Sequence, residues 1–300
     1  MAVTDIMLPA ETAGEMPKIR KIGIADLKGS LAKGLDDFWA MPTHILFLGL
    51  IYPIIGIIIG RAAFGYDVIP LLYPFAAGFA LLGPIAAIGL YELSRRREAG
   101  MDTSWKHVFD VLHSPSLPGI AAIGLLLLVI FAVWIAVAQS LYVTFFGYAE
   151  PASWSSFVTQ VLGTPAGLSL IVTGNAVGFL FALLALMISV VSFPLLLDRN
   201  AGPVAAVLTS VRAVTSNPVT MAIWGLIVAG LLVIGFATAF LGLAIIVPVL
   251  GHATWHLYRR VVVDDGRPHP LYNPVRKGWH YGAHFPANLF SRYPADKSGD

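Results

Sequence analysis

Two histidines, His252 and His256, are the residues whose type and spacing best suit a chemical site in this sequence. They stand in the run His252-Ala253-Thr254-Trp255-His256, so a helix would place both imidazoles on one face, where they can bind one metal ion. The run lacks the glutamate of a metalloprotease helix, and histidine and tryptophan also anchor helix ends at a membrane surface. His252 and His256 are therefore candidate metal ligands, and a structural role is the favoured alternative.

No residues in the sequence indicate any other catalytic chemistry. The sequence contains no cysteine, which excludes disulfides, thiol nucleophiles and cysteine-bound metal clusters. No serine–histidine–aspartate set, glycine-rich phosphate loop or metalloprotease helix is recognisable. A haem would need axial ligands deep in a helical bundle, and His44 and His252, the closest candidates, fall near the surface. We expect no enzymatic activity and no cofactor.

The composition predicts an integral membrane protein. Hydrophobic residues make up 57% of the chain and charged residues only 12%, which is more apolar surface than one soluble core can bury. The net charge of +2 is too small to indicate nucleic-acid binding. Four apolar stretches each suit one span: 42–60, 70–93, 118–145 and 167–197.

The last apolar block, residues 218–258, is too long for one span. A helix of that length would measure roughly 60 Å, about twice the hydrocarbon thickness. Two spans, 218–239 and 241–258, turning near Phe240-Leu241-Gly242, fit better. The total of six spans puts every lysine and arginine except Arg61 on the cytoplasmic side. Both termini are then cytoplasmic, and residues 1–17 do not resemble a cleavable signal peptide.

The six spans are predicted to form three repeated hairpins, each preceded by an amphipathic interfacial helix. Apolar residues recur every three or four positions before Pro42, Pro115 and Pro218, and each proline ends its helix. We expect an all-α protein with a cytoplasmic segment 1–23, a membrane domain 24–262 and a cytoplasmic tail 263–300. The repeats run approximately over 24–98, 102–199 and 203–262.

The tail and two glycine pairs are candidate contact surfaces. The tail is rich in proline and aromatic residues, which suits docking on a membrane, on the bundle or on a partner. Its candidate contacts are Trp279, Tyr281 and Phe285. Small residues at Gly56 and Gly60, and at Gly174 and Gly178, permit close helix packing within the chain or between copies.

The span pattern, Ser104-Trp105, Asn217-Pro218 and the ending Pro248…Tyr258-Arg259-Arg260 resemble a bacterial family of predicted integral membrane proteins with a domain of unknown function. The resemblance covers roughly residues 24–263 and implies a six-span fold in the bacterial inner membrane. Some members carry labels linking them to cytochrome c oxidase. The histidines of this chain cannot build a haem–copper centre, so only an accessory role would follow.

Three functions are compatible with these features. The first is a non-catalytic accessory, assembly or scaffold subunit of a larger membrane complex, bound to a membrane-protein partner or to a second copy. The alternative is a carrier of a lipid or apolar small molecule, which needs no buried charge. A metal-dependent enzyme using His252 and His256 ranks third.

The charge distribution predicts the location of the C-terminus. A reporter fused after Asp300 should be active in the cytoplasm, because six spans return the chain to the side on which it began. Parallel alkaline phosphatase and green fluorescent protein fusions measure this. Activity confined to the periplasmic reporter would contradict the even number of spans.

Overall fold

The helices of the chain follow the apolar segments of the sequence. The computed structural model describes residues 16–41, 69–148, 151–199, 201–238 and 240–264. Within these ranges the chain is helical, apart from connections and one isolated antiparallel bridge between Ile19 and Val262. The helices are α1 (Ile24–Ala40), α2 (Ile69–Ala86), α3 (Ile88–Glu98), a 3₁₀ helix (Trp105–His113), α4 (Leu117–Phe146), α5 (Trp154–Gly163), α6 (Pro165–Ser189), α7 (Ser192–Arg199), α8 (Pro203–Ser216), α9 (Pro218–Ala237) and α10 (Leu243–Val261).

Among the described residues, three helical segments are long and apolar enough to cross a bilayer: Leu117–Phe146, Pro165–Arg199 and Pro218–Ala237. A fourth candidate is the bent pair Ile69–Gly78 and Ala80–Ala86. The all-helical membrane fold is therefore confirmed with three or four candidate spans. The predicted first span, with Gly56 and Gly60, lies outside the described residues.

The predicted fifth and sixth spans form separate helices, as the length of the apolar block required. A tight turn follows α9, in which Phe240 has a φ of 68° and the Leu241 amide donates to the Thr238 carbonyl at 3.1 Å. The helix α10 has 19 residues, but its second half carries two histidines and two arginines. Because this half is polar, the apolar part of α10 is shorter than that of the candidate spans, and α10 is not one of them.

The bend in α2 has a local cause. The helix bends by 44° next to residue 79, and Pro84 stands one turn later. Proline has no amide hydrogen and its ring collides with the carbonyl four residues earlier, which opens the helix there. On α4, Trp134 donates from Nε1 to the Pro74 carbonyl at 2.9 Å and so ties the bent helix to its neighbour.

The three segments predicted to be amphipathic helices are ordered, but they are not alike. The first and third form α1 and α8, and Pro203 occupies the first turn of α8, a position that suits proline. The second is a 3₁₀ helix rather than an α-helix. In a 3₁₀ helix residues three apart are eclipsed, and His107 Nδ1 accordingly lies 2.6 Å from Asp110 Oδ2.

The most extensive helix packing joins the first and last described helices, α1 and α10. A Cβ atom added to Gly34 would lie 2.6 Å from the backbone nitrogen of Ala253, so glycine is required for this approach. Leu27 and Phe38 of α1 and Ala253 of α10 are buried. The two ends of the chain are thus joined although more than 200 residues of sequence separate them.

Asn217 connects the segment before α1 to the start of α9. Its Oδ1 accepts from the Ile22 amide at 2.9 Å, and its Nδ2 donates to the carbonyls of Arg20 and Ala213, each at 3.1 Å. The Asn217 side chain is buried, so these bonds have little competition from water. The predicted break before Pro218 is therefore also a tertiary anchor.

Replacing Asn217 should destabilise the protein. Asn217→Ala leaves the Ile22 amide and two carbonyls without this partner, which should cost about 2 kcal/mol of unfolding free energy. Unfolding in mixed detergent micelles measures the change. The control is Thr215→Ala, because the exposed Thr215 hydroxyl donates only to carbonyls within α8. Equal stability of the two variants would show that Asn217 is not an anchor.

Candidate functional site

A buried polar cluster forms where α1, α3 and α10 meet. Asp37 stands one turn after Gly34, so the close approach of α1 to α10 brings its carboxylate to the face that carries His252 and His256. The helix α3 adds Ser94 and Arg97. We refer to these residues (Asp37, Ser94, Arg97, His252 and His256) as the Asp37 cluster. Except for Arg97, all of them are buried.

The Asp37 carboxylate is the centre of the cluster. Its Oδ2 accepts from Ser94 Oγ at 2.5 Å and lies 2.9 Å from His256 Nε2, while its Oδ1 accepts from Arg97 Nη1. Burial raises the pKa of the Asp37 carboxyl, but the hydrogen bonds from His256, Ser94 and Arg97 outweigh burial and hold the pKa below its usual value. Asp37 therefore remains ionised at neutral pH and attracts donors from two other helices.

The bonds around Asp37 assign the protons of both imidazoles. An ionised carboxylate only accepts, so the Ser94 hydroxyl and His256 Nε2 each direct a hydrogen to Asp37. With its hydrogen directed to Asp37, Ser94 Oγ acts as an acceptor for His252 Nδ1, which lies 2.8 Å away. In a neutral His252 the proton is then on Nδ1, and Nε2 carries a free lone pair.

The predicted metal ligands thus use different nitrogens for bonds within the protein. His256 Nε2 faces Asp37, whereas His252 Nε2 is buried and has no hydrogen-bond partner among the described residues. Within the same residues, no group of three histidine, aspartate or glutamate side chains is arranged to hold a metal ion. The geometry supports the structural role of the pair, and metal binding stays a prediction.

Further ion pairs surround the Asp37 cluster at the end of α3. Glu92 and Arg95 form a two-pronged contact with both distances at 2.8 Å. Arg96 Nη1 reaches Asp110 Oδ2 of the 3₁₀ helix at 3.2 Å, and its Nε donates to the Asp102 carbonyl at 2.7 Å. Arg96 therefore fixes the 3₁₀ helix against α3.

Another buried carboxylate, Asp198, joins α7 to α10. Tyr258 donates from its hydroxyl to Asp198 Oδ2 at 2.5 Å, and Arg259 Nη1 lies 3.5 Å from the same oxygen. Arg199 is a further cation near Asp198, with its Nε 3.7 Å from Asp198 Oδ2. Together with the Asp37 cluster, these pairs connect the ends of α3, α7 and α10 to α1.

The structure also positions the other predicted contact residues that it describes. Gly178 packs on Trp134, whose ring would lie 3.0 Å from an added Cβ, while a Cβ at Gly174 would meet no described atom within 4 Å. Asn175 between them accepts from the Tyr73 hydroxyl at 2.7 Å, an interhelical hydrogen bond of the kind expected in a bilayer. Trp279, Tyr281 and Phe285 lie outside the described residues.

Asp37 is the site residue that sequence reasoning missed. It was hidden because charged residues on an amphipathic helix usually face water, and its neighbour Asp36 does so. One signal was available: Asp37 and Asp110 both stand five residues before the proline that ends their segment. An acidic residue that recurs at the same position before the proline of two segments indicates that both segments make the same kind of contact.

Comparison with known families agrees with the membrane fold. The sequence model of the family described as "Predicted integral membrane protein (DUF2189)" matches residues 72–198. The match runs from α2 to the end of α7, so it contains Ser94 and Arg97 but not Asp37, His252 or His256. Over this range the resemblance to a family of predicted integral membrane proteins of unknown function is confirmed. No curated protein and no solved structure shows significant similarity to the chain.

The Asp37 cluster should contribute measurably to stability. Asp37→Asn preserves the shape but removes the buried charge that faces Arg97 and His256, which should cost about 3 kcal/mol. Thermal unfolding in detergent, followed by circular dichroism, measures the loss. The matched control is Asp36→Asn, an exposed neighbour for which a change within about 0.5 kcal/mol is expected. If both variants melted together, Asp37 would not organise the three helices.

Proposed function

We propose that this protein is a non-catalytic accessory, assembly or scaffold component of a larger membrane complex. The observation that carries the proposal is the division of its surfaces: the buried charges bond to one another between helices, and long apolar helix faces remain uncovered. Our proposal includes six spans as three hairpins in a bacterial inner membrane, with both termini cytoplasmic. A rigid bundle of this kind suits a structural role.

The three interfacial elements share one burial register, which supports the threefold repeat. The residue four positions before each closing proline is buried, and the residue three positions before it is exposed. The residue ten positions before each proline is also exposed. The buried set is Phe38, Val111 and Val214, and the exposed sets are Trp39, Leu112 and Thr215, and Ala32, Trp105 and Leu208.

The packing order supports a closed ring of three hairpins. The 3₁₀ helix packs on α3, which precedes it, and α8 packs on α6 and α7, which precede it. In both cases the interfacial element packs on the hairpin that precedes it. In a closed ring the third hairpin precedes α1, and α1 does pack on α10, the last helix of that hairpin. Each hairpin therefore holds the interfacial element of the next one, and the first element closes the ring.

The carboxylates of the interfacial elements follow the same rule. Asp37 of α1 bonds to His256 of α10, and Asp110 of the 3₁₀ helix bonds to Arg96 of α3. In both contacts an acid of one hairpin meets a nitrogen donor of the hairpin that precedes it in the ring. The third copy has the buried Ala213 at this register and so departs from the pattern.

The uncovered apolar faces supply the surface for a partner. In α9 only 17% of the span is buried within the chain, and Leu226 and Val233 are 70% and 65% exposed. Met221 and Trp224 on the opposite face are buried. A helix attached by one narrow face can pack another membrane helix on the rest of its surface.

Crosslinking from α9 tests the proposal. Because the sequence has no cysteine, Leu226→Cys introduces a single reactive thiol on the exposed face, and Met221→Cys introduces one on the buried face. In native membranes a thiol-directed photocrosslinker at Leu226→Cys should capture one protein in stoichiometric amount, identified by mass spectrometry. The captured protein can be a second copy or a different subunit.

The buried-face variant is the control for this experiment. Met221→Cys should give no adduct, because its thiol is covered by the protein's own helices. A protein that stays monomeric with Leu226→Cys in native membranes, and that co-purifies with no stoichiometric partner in mild detergent, would contradict the accessory role. That result would leave the membrane fold and the Asp37 cluster intact.

A further inference from the structure

The lysines and arginines of the described residues fall into two sets that differ in their partners. One set stands at the ends of α3, α7 and α10, and each of its members lies within ion-pair distance of a carboxylate. This paired set comprises Arg95, Arg96, Arg97, Arg199, Arg259 and Arg260. It builds the network described above and offers little charge to the surroundings.

The second set is exposed and has no ion pair with a carboxylate in the part of the chain that the structure describes. Its members are Lys18, Arg20, Lys21, Lys28, Lys33, Lys106 and Arg212. Unpaired cations on a membrane protein interact with whatever surrounds the bundle at their depth. Their positions therefore indicate which part of the surface attracts anions.

Four of these cations are gathered at one corner by the fold. The segment before α1 runs beside the junction of α8 and α9, where Lys21 Nζ donates to the Ser216 carbonyl and Arg212 Nη1 lies 3.3 Å from Met16 Sδ. The Lys18 carbonyl accepts from the Val263 amide at 2.9 Å, which holds the segment against the end of α10. We name Lys18, Arg20, Lys21 and Arg212 the cationic corner.

Exposed apolar side chains lie next to the cationic corner. Val219, in the first turn of α9, is 71% exposed, and Leu208, one turn before Arg212 on α8, is 43% exposed. Because α9 is a candidate span that begins at Pro218, we expect its first turn to lie at the boundary between lipid and water. The corner thus combines cations at headgroup depth with apolar groups that can reach acyl chains.

We propose that the cationic corner binds the headgroups of anionic phospholipids in the leaflet around the start of α9. The unpaired charges attract the phosphate by Coulomb interaction, which is stronger near a membrane surface of the opposite sign. Val219 and Leu208 favour a lipid over a soluble phosphate, because a free anion gains nothing from apolar neighbours. The four cations of the corner lie outside α9, whereas Val219 shares the exposed face of α9 with Leu226 of the proposed partner surface.

Lipid retention tests the proposal on the full chain. The protein is reconstituted in vesicles of equal parts phosphatidylcholine and phosphatidylglycerol, extracted with its lipid annulus by a styrene–maleic acid polymer, and analysed by lipid mass spectrometry. The wild-type protein should retain an excess of phosphatidylglycerol. In the triple variant Lys18→Gln, Lys21→Gln, Arg212→Gln this excess should fall by about fivefold or more.

A charge-matched variant separates the corner from net charge. Arg276→Gln, Lys277→Gln, Lys297→Gln removes the same charge beyond residue 264 and should keep the lipid excess. The corner side chains are exposed, so the corner variant should fold. Circular dichroism will verify the folding of both variants. An equal loss in both variants, a retained excess in the corner variant, or no excess in the wild-type protein would each overturn the site.

Discussion

The structure depends on the burial of one charge, the Asp37 carboxylate, between α1 and α10. Moving an isolated carboxylate out of water costs several kcal/mol, so the carboxylate persists there only because other helices supply donors. Ser94 and Arg97 come from α3, and His256 comes from α10. The three helices must therefore dock together, and the first and last described helices become parts of one unit.

The same principle explains why the charged ends of the helices differ from their apolar lengths in their polar contacts. At the charged end, carboxylates bond to cations or hydroxyls of neighbouring elements, as in Asp110 with Arg96 and Asp198 with Tyr258. Along the apolar lengths, the polar contacts are few and neutral, as in Tyr73 with Asn175. A lipid environment explains this difference, because an unpaired charge is far more costly in hydrocarbon than an amide or a hydroxyl.

The positive charges of this protein have two different roles. Arginines within ion-pair distance of acids hold the helices together, whereas the cations that have no ion pair among the described residues, most of them lysines, remain on the outside. This division agrees with their chemistry, since the planar guanidinium forms several directed hydrogen bonds and the lysine ammonium is a compact, hydrated charge. The positive charges that predict the membrane orientation therefore fall into two groups: one forms the ion-pair network between helices, and the other lies on the outer surface.

Much of the fold was predictable because its signals are local. Apolar length predicted helices at 118–145, 167–197 and 218–239, and the excessive length of the last block predicted the turn near Phe240. Prolines predicted the ends of the amphipathic segments. The 3₁₀ winding of Trp105–His113 was not predictable, because it depends on contacts of Asp110 with His107 and with Arg96, which belongs to another helix.

The sequence by itself determined that this is a helical membrane protein, because hydrophobicity and proline act over a few consecutive residues. It also placed His252 and His256 on one helix face. Only the tertiary structure decided what those histidines bind, since Asp37 lies more than 200 residues away and reaches them through the glycine contact of α1 with α10. Which charges are paired and which face outward depends on helix packing, and residue order alone does not contain the distances that decide it.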